Sequence, residues 1–154
     1  MGTLEERKAN DIMVDEVITL CSNGNKDAEK YLIDFAYVCR VFDDLIDKDH
    51  PVSDKQICKA FFILMAGLWL NPFFARNSRL LIPVHVMSVN TFMDSNIWAD
   101  DDNKLKRLYA HVIKDFVDEL LGMVAFLTGG YTHMRKVSLK VRESFLEEVE
   151  DGIM

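Results

Sequence analysis

A chain of 154 residues, 49% hydrophobic and 28% charged, with seven glycines and three prolines, has the make-up of one ordered domain and excludes a disordered or repeat-built protein. The formal net charge of −7 and a pI near 5.0 repel phosphate backbones at long range, which sets nucleic acid aside as a partner. Cys21, Cys39 and Cys58, an odd number without CxxC spacing, suggest neither a disulfide framework nor a zinc site and fit a reduced, cytoplasmic setting.

The opening MGTLEERKAN has no apolar h-region, and Glu6 stands where a myristoylation signal wants Ser or Thr, so neither export nor lipid anchoring is expected. From Leu4 to Cys21 apolar residues recur at spacings of three and four, which predicts a first amphipathic helix. Ser22-Asn23-Gly24-Asn25 is a turn by composition, and a second helix starts near Lys26 or Asp27. Its stripe of Leu32, Phe35, Cys39, Phe42 and Ile46 is expected to face the core, and it stops before Pro51. Ser53 offers the N-cap of a third helix running to Leu70, so apolar that it is expected at the centre of the fold. Its apolar run from Ala60 to Leu70 is shorter than the roughly 20 residues of a membrane span, and no membrane is expected.

Asn71-Pro72 predicts the end of that helix, with Phe73 and Phe74 in a loop folded back onto the core and Ser78 capping the next helix. The fourth helix is expected from Arg79 to about Ala99, with Pro83 tolerable in its first turn. Asp100-Asp101-Asp102-Asn103 breaks the pattern. A fifth helix follows, with the clearest 3.6-residue period in the chain, from Leu105 through Leu108, Tyr109, Val112 and Phe116 to Val124. Thr128-Gly129-Gly130 is expected to end it, and a sixth helix is expected from Tyr131 to Asp151. No strand pattern occurs, so the fold expected is all-α: a single compact bundle of about six helices spanning 1–154, with the third or fifth central.

The second helix ends in Asp43-Asp44-Leu45-Ile46-Asp47, which on a wheel at about 100° per residue projects Asp43, Asp44 and Asp47 into one sector. Carboxylates so placed can share a hard cation such as Mg²⁺, which keeps several waters and bridges to phosphate oxygens. The solvated helix end is the other reading. With sixteen aspartates in the chain, the spacing arises by chance in roughly one such chain in six, and Arg40 shares the sector as an ion-pair partner.

An apolar, aromatic helix with this ending, followed by a short loop and another helix, resembles over residues 31–65 the first metal-binding segment of the all-helical isoprenoid synthases, the prenyl transferases and terpene cyclases. The resemblance implies Mg²⁺ held by Asp43, Asp44 and Asp47 and a diphosphate or isoprenoid-type ligand bound through it. A second metal segment of that family has no match, since Asp100–Asn103 lacks its spacing.

His111, Asp115 and Asp118 share a face but lack the Glu-x-x-His pairs of a di-iron bundle, and a His111–Asp115 surface pair is expected instead. His85 among Ile82, Val84, Val86 and Met87 reads as a core or interface histidine. Glu147, Glu150, Glu148 and Asp151 form acidic pairs on one helix, unlike the separate helices of nucleotide pyrophosphatases. Ten phenylalanines, eight methionines and two tryptophans exceed what a core of this size buries. The function expected is therefore non-catalytic: association with a protein partner or with itself, as a homo-oligomer or an accessory or assembly protein of bacterial or phage type. Mg²⁺-dependent binding or turnover of a diphosphate is the alternative.

Overall fold

In a computed structural model, which describes residues 4–146, the first helix, α1, runs over Leu4–Ser22 and α2 over Lys26–Asp47. The link between them is the turn that its residues dictate. Asn23 and Gly24 take left-handed conformations at φ 49° and 79°, and the Asn25 side chain caps α2 by accepting from the Ala28 N–H at 3.0 Å. Lys48, also left-handed, ends α2 by donating its N–H to the Asp44 carbonyl at 3.0 Å.

The helix α3 begins at Asp54 with a capping box: Ser53 Oγ accepts from the Gln56 N–H at 3.2 Å, and Gln56 Oε1 accepts from the Ser53 N–H at 2.9 Å. It comprises an α segment Asp54–Phe62, a π turn Ile63–Gly67 and a last α turn Leu68–Leu70. The helix α4 is Pro72–Trp98. The helix α5 comprises Lys104–Lys114, a 3₁₀ turn Asp115–Asp118 and Glu119–Glu143, with Gly130 at φ 76° and ψ −172° inside it. Among the described residues there are no strands and five helices, so the all-α class holds with one helix fewer than the expected six. Gly130 breaks the helical path where Thr128-Gly129-Gly130 is expected to end the helix, so Glu119–Glu143 is two helical stretches joined across a kink, both within α5; 147–151 of the expected last helix, with the acidic pairs there, lie outside the described residues.

The expected loop at Phe73–Ser78 is helix. Asn71 Oδ1 accepts from the N–H groups of Phe73 and Phe74 at 2.9 and 3.2 Å, and Pro72 takes the first helical position, where its missing N–H costs nothing. Asn71 therefore ends α3 and starts α4 at once. The chain bends by 103° there. Pro83 consequently lies deep inside α4, not in its first turn, and leaves the Arg79 carbonyl without its i+4 donor. No single described helix is long and apolar enough to cross a membrane, although α3 and α4 pass that test as a bent pair.

The helices group into two compact units, Met1–Ser78 and Arg79–Met154. In the first, α2 packs on both α1 and α3. Its buried residues include Val17, Ile18 and Cys21 from α1, Tyr31, Leu32 and Val41 from α2, Ile63 and Leu68 from α3, and Phe73 and Phe74 from the start of α4. Tyr31 anchors this core: its ring lies 5.5 Å from Phe74, 5.9 Å from Phe73 and 6.1 Å from Phe35, centroid to centroid. The second unit buries Leu81, Ser95, Ala110, Leu120, Val124, Ala125, Val137 and Val141.

Candidate functional site

The acidic end of α2 is held by α1. Asp44 Oδ2 accepts from Arg7 Nη2 at 2.8 Å, its Oδ1 lies 3.4 Å from His50 Nδ1, and its side chain is largely buried. Arg40 pairs with Asp11 of α1. The two cross-pairs share one register: four residues forward on α1, from Arg7 to Asp11, match four back on α2, from Asp44 to Arg40, as in an antiparallel hairpin. Asp43 is half-buried and Asp47 is exposed. Among the described residues no three His, Cys, Asp or Glu side chains converge as a metal-ion site, so Asp43, Asp44 and Asp47 are not brought together around a common point.

The apolar stripe beside them is also turned differently from expectation. Leu32 is buried, but Phe42, Leu45 and Ile46 are exposed, and Val41 takes the inward position. Asp43 therefore borders an open apolar surface. Cys39, one turn back, has its thiol pushed up to about 12 by burial, with the charge of Asp43 adding to the effect; Cys21 rises to about 12 by burial alone. Both thiols stay protonated at neutral pH and are poor nucleophiles and metal ligands.

In the second unit, Asn103 caps the start of α5 by accepting from the Leu105 N–H at 2.9 Å, and Asp101 braces the turn before it. Asp101 accepts from the Asn103 N–H and from Lys106 Nζ, both at 2.9 Å, which hold its carboxyl below the usual range. Arg107 Nη1 donates to the carbonyls of Asp101 and Asp102. This acidic turn is therefore occupied by its own helix. The α5 backbone tightens to 3₁₀ at Asp115–Asp118, which breaks the α-helical spacing on which a His111–Asp115–Asp118 face depended. Burial pushes the Asp115 carboxyl up and the His85 imidazole down to about 4. A hollow of about 340 Å³ is lined by Thr91, Asp94, Ile97, Trp98, Tyr109 and Ile113. Lys106 Nζ already lies 5.7 Å from the Trp98 ring centre.

The surface that stands out is α3, the helix expected at the centre. Leu70 is 75% exposed, Met65 66%, Phe61 64%, Phe62 59% and Trp69 53%, while Ala60, Ile63 and Leu68 are buried. The π turn is marked by the Leu68 N–H donating to the Ile63 carbonyl, five residues back. Phe61, Met65 and Trp69, spaced four apart, are exposed along α3, as are Phe62 and Leu70.

Lys59 Nζ, 4.3 Å from the Tyr37 ring centre, pins α3 to α2, and Trp69 meets Phe74 edge-on at 5.1 Å. Within the second unit, exposed apolar side chains also occur on α4 at Val86, Met87, Val89, Met93 and Ile97, and on α5 at Leu105, Tyr109 and Val112. Before Leu120, α5 buries Ala110 and partly buries Ile113, Phe116 and Val117, while Leu105, Tyr109 and Val112 of the same 3.6-residue pattern stand exposed. No protein-family model, no curated protein and no solved structure matches this chain.

Proposed function

We propose that this chain is a non-catalytic helical protein that works in the cytoplasm through helix-mediated association, as a homo-oligomer or as an accessory or assembly protein of bacterial or phage type. The observation that carries the reading is the exposed apolar surface of α3. Large apolar side chains standing in water are costly, and contiguous ones mark interaction sites. The five α3 residues expose about 600 Å², and covering them at about 25 cal/mol per Å² contributes about 15 kcal/mol before the cost of association. That cost is about 4–15 kcal/mol, and only the surplus of the apolar term over it holds a complex.

The metal reading draws no comparable support. Asp44 is engaged by Arg7 and faces His50, and Phe42, Leu45 and Ile46 beside it are exposed. The net charge of −7 favours a protein partner over nucleic acid.

Sedimentation velocity from micromolar to near-millimolar concentration, with binding of an apolar fluorescent dye measured on any monomer, tests the proposal. It predicts either a mass above 17.7 kDa or a monomer that binds the dye strongly in its folded state. A monomer that binds no dye removes the association reading.

A further inference from the structure

We propose that the apolar face of α3 packs against the same face of a second copy of this chain, in a two-fold dimer. This deepens the association reading and rests on it. A two-fold interface must be complementary to itself. The α3 face meets that condition in charge, because no ionisable side chain occurs from Ala60 to Ala75, and a face without charge needs no opposite charge across from it. It meets it in pattern, because Phe61, Met65 and Trp69, spaced four residues apart and all exposed, form a ridge on α3 that can run beside its own copy.

The area fits as well. About 600 Å² from each copy makes about 1,200 Å² in all, the lower end of a stable protein interface. The anchor is fixed in advance: Trp69 is held edge-on by Phe74, itself buried against Tyr31, so little freedom is lost when it is covered. A bilayer surface suits the face less. Its cations, Lys55 and Lys59, sit only at the start of α3, and a chain of net charge −7 is repelled by anionic headgroups.

The test compares the full chain with Met65→Glu on the proposed face and Ile97→Glu, a 72% exposed position on α4, by light scattering and by circular dichroism. The parent and Ile97→Glu are expected as dimers, twice the 17.7 kDa of one chain, with Met65→Glu a helical monomer whose dissociation constant is about thirtyfold or more higher. If Met65→Glu does not fold, Leu70→Gln, at a 75% exposed position, is expected to weaken the dimer in the same sense. Dissociation by Ile97→Glu with Met65→Glu and Leu70→Gln unaffected overturns the assignment to α3 and leaves association standing. A parent that stays monomeric at every concentration, whether or not it binds vesicles of neutral or anionic phospholipid, overturns the second copy as the occupant.

Discussion

Three glycines of α5 stand in three different backbone environments, and replacing each by alanine should give three different results. Gly122 is in ordinary helix with nothing within 4 Å of an added Cβ, so Gly122→Ala removes only the conformational freedom of the unfolded chain and should stabilise by about 0.5–1 kcal/mol. Gly130 also has open space around it, but its φ of 76° and ψ of −172° lie where only glycine is at ease; Gly130→Ala should cost about 1–3 kcal/mol by strain alone. At Gly129 the backbone is unstrained, but the new Cβ would lie 2.5 Å from the Cβ of His133, which moves only with its own backbone. Gly129→Ala should therefore destabilise by about 1–3 kcal/mol through overpacking. Urea denaturation followed by circular dichroism orders the three, since all report on the same helix. A Gly130→Ala protein as stable as Gly122→Ala would mean that α5 runs straight through this point, and the account of the break would be wrong.

Asn71 is almost fully buried, caps α4 twice and donates from Nδ2 to the Asp27 carbonyl at 2.9 Å; Asn71→Ala should cost about 2–3 kcal/mol in the same assay, with a negligible loss counting against its double role. Burial holds His85 near 4 against 6.5 in the unfolded chain, so its contribution is complete above pH 6.5 and is lost as pH falls toward 4, about 3 kcal/mol in all. His85→Gln should flatten that part of the pH–stability curve, and parallel curves for parent and variant would refute the assignment. A double-mutant cycle on Arg7 and Asp44 should give a coupling of about 1 kcal/mol, as for a partly exposed pair. Mg²⁺ with pyrophosphate should leave the melting temperature unchanged in the parent and in Asp43→Asn; a rise in the parent alone would restore the metal reading of Asp43, Asp44 and Asp47.

Helix ends were legible because capping is chemistry between near neighbours. Asn25 and Ser53 sit where their side chains reach the first backbone N–H groups of a helix, and Asn103 follows an acidic turn that competes for the same groups. Asn71-Pro72 was half legible: the pair marks a helix end, but the same two residues are a cap and a first helical position, so the chain turns without a loop. Burial was less legible than helicity. A stripe at 3.6 spacing says which side chains share a face, not whether another element covers it; α3 and the first half of α5 are apolar faces left open, and at the end of α2 Val41 turns inward while Phe42 and Ile46 do not. The π turn has no side-chain signature, since only the hydrogen-bond register distinguishes it. The acidic end of α2 depended on a partner 37 residues away: nothing local to Asp43-Asp44-Leu45-Ile46-Asp47 points to Arg7.

The account centres on the open apolar face of α3 as a surface made to be covered, and the solvent reactivity of its side chains reads that directly. Oxidative footprinting of Met65 and Trp69 at low micromolar and at near-millimolar concentration, with exposed Leu139 on α5 as the reference, should show both residues reactive when dilute and protected when concentrated, while Leu139 stays unchanged. Equal reactivity of Met65 and Trp69 at both concentrations would contradict a second copy of the chain as what covers the face.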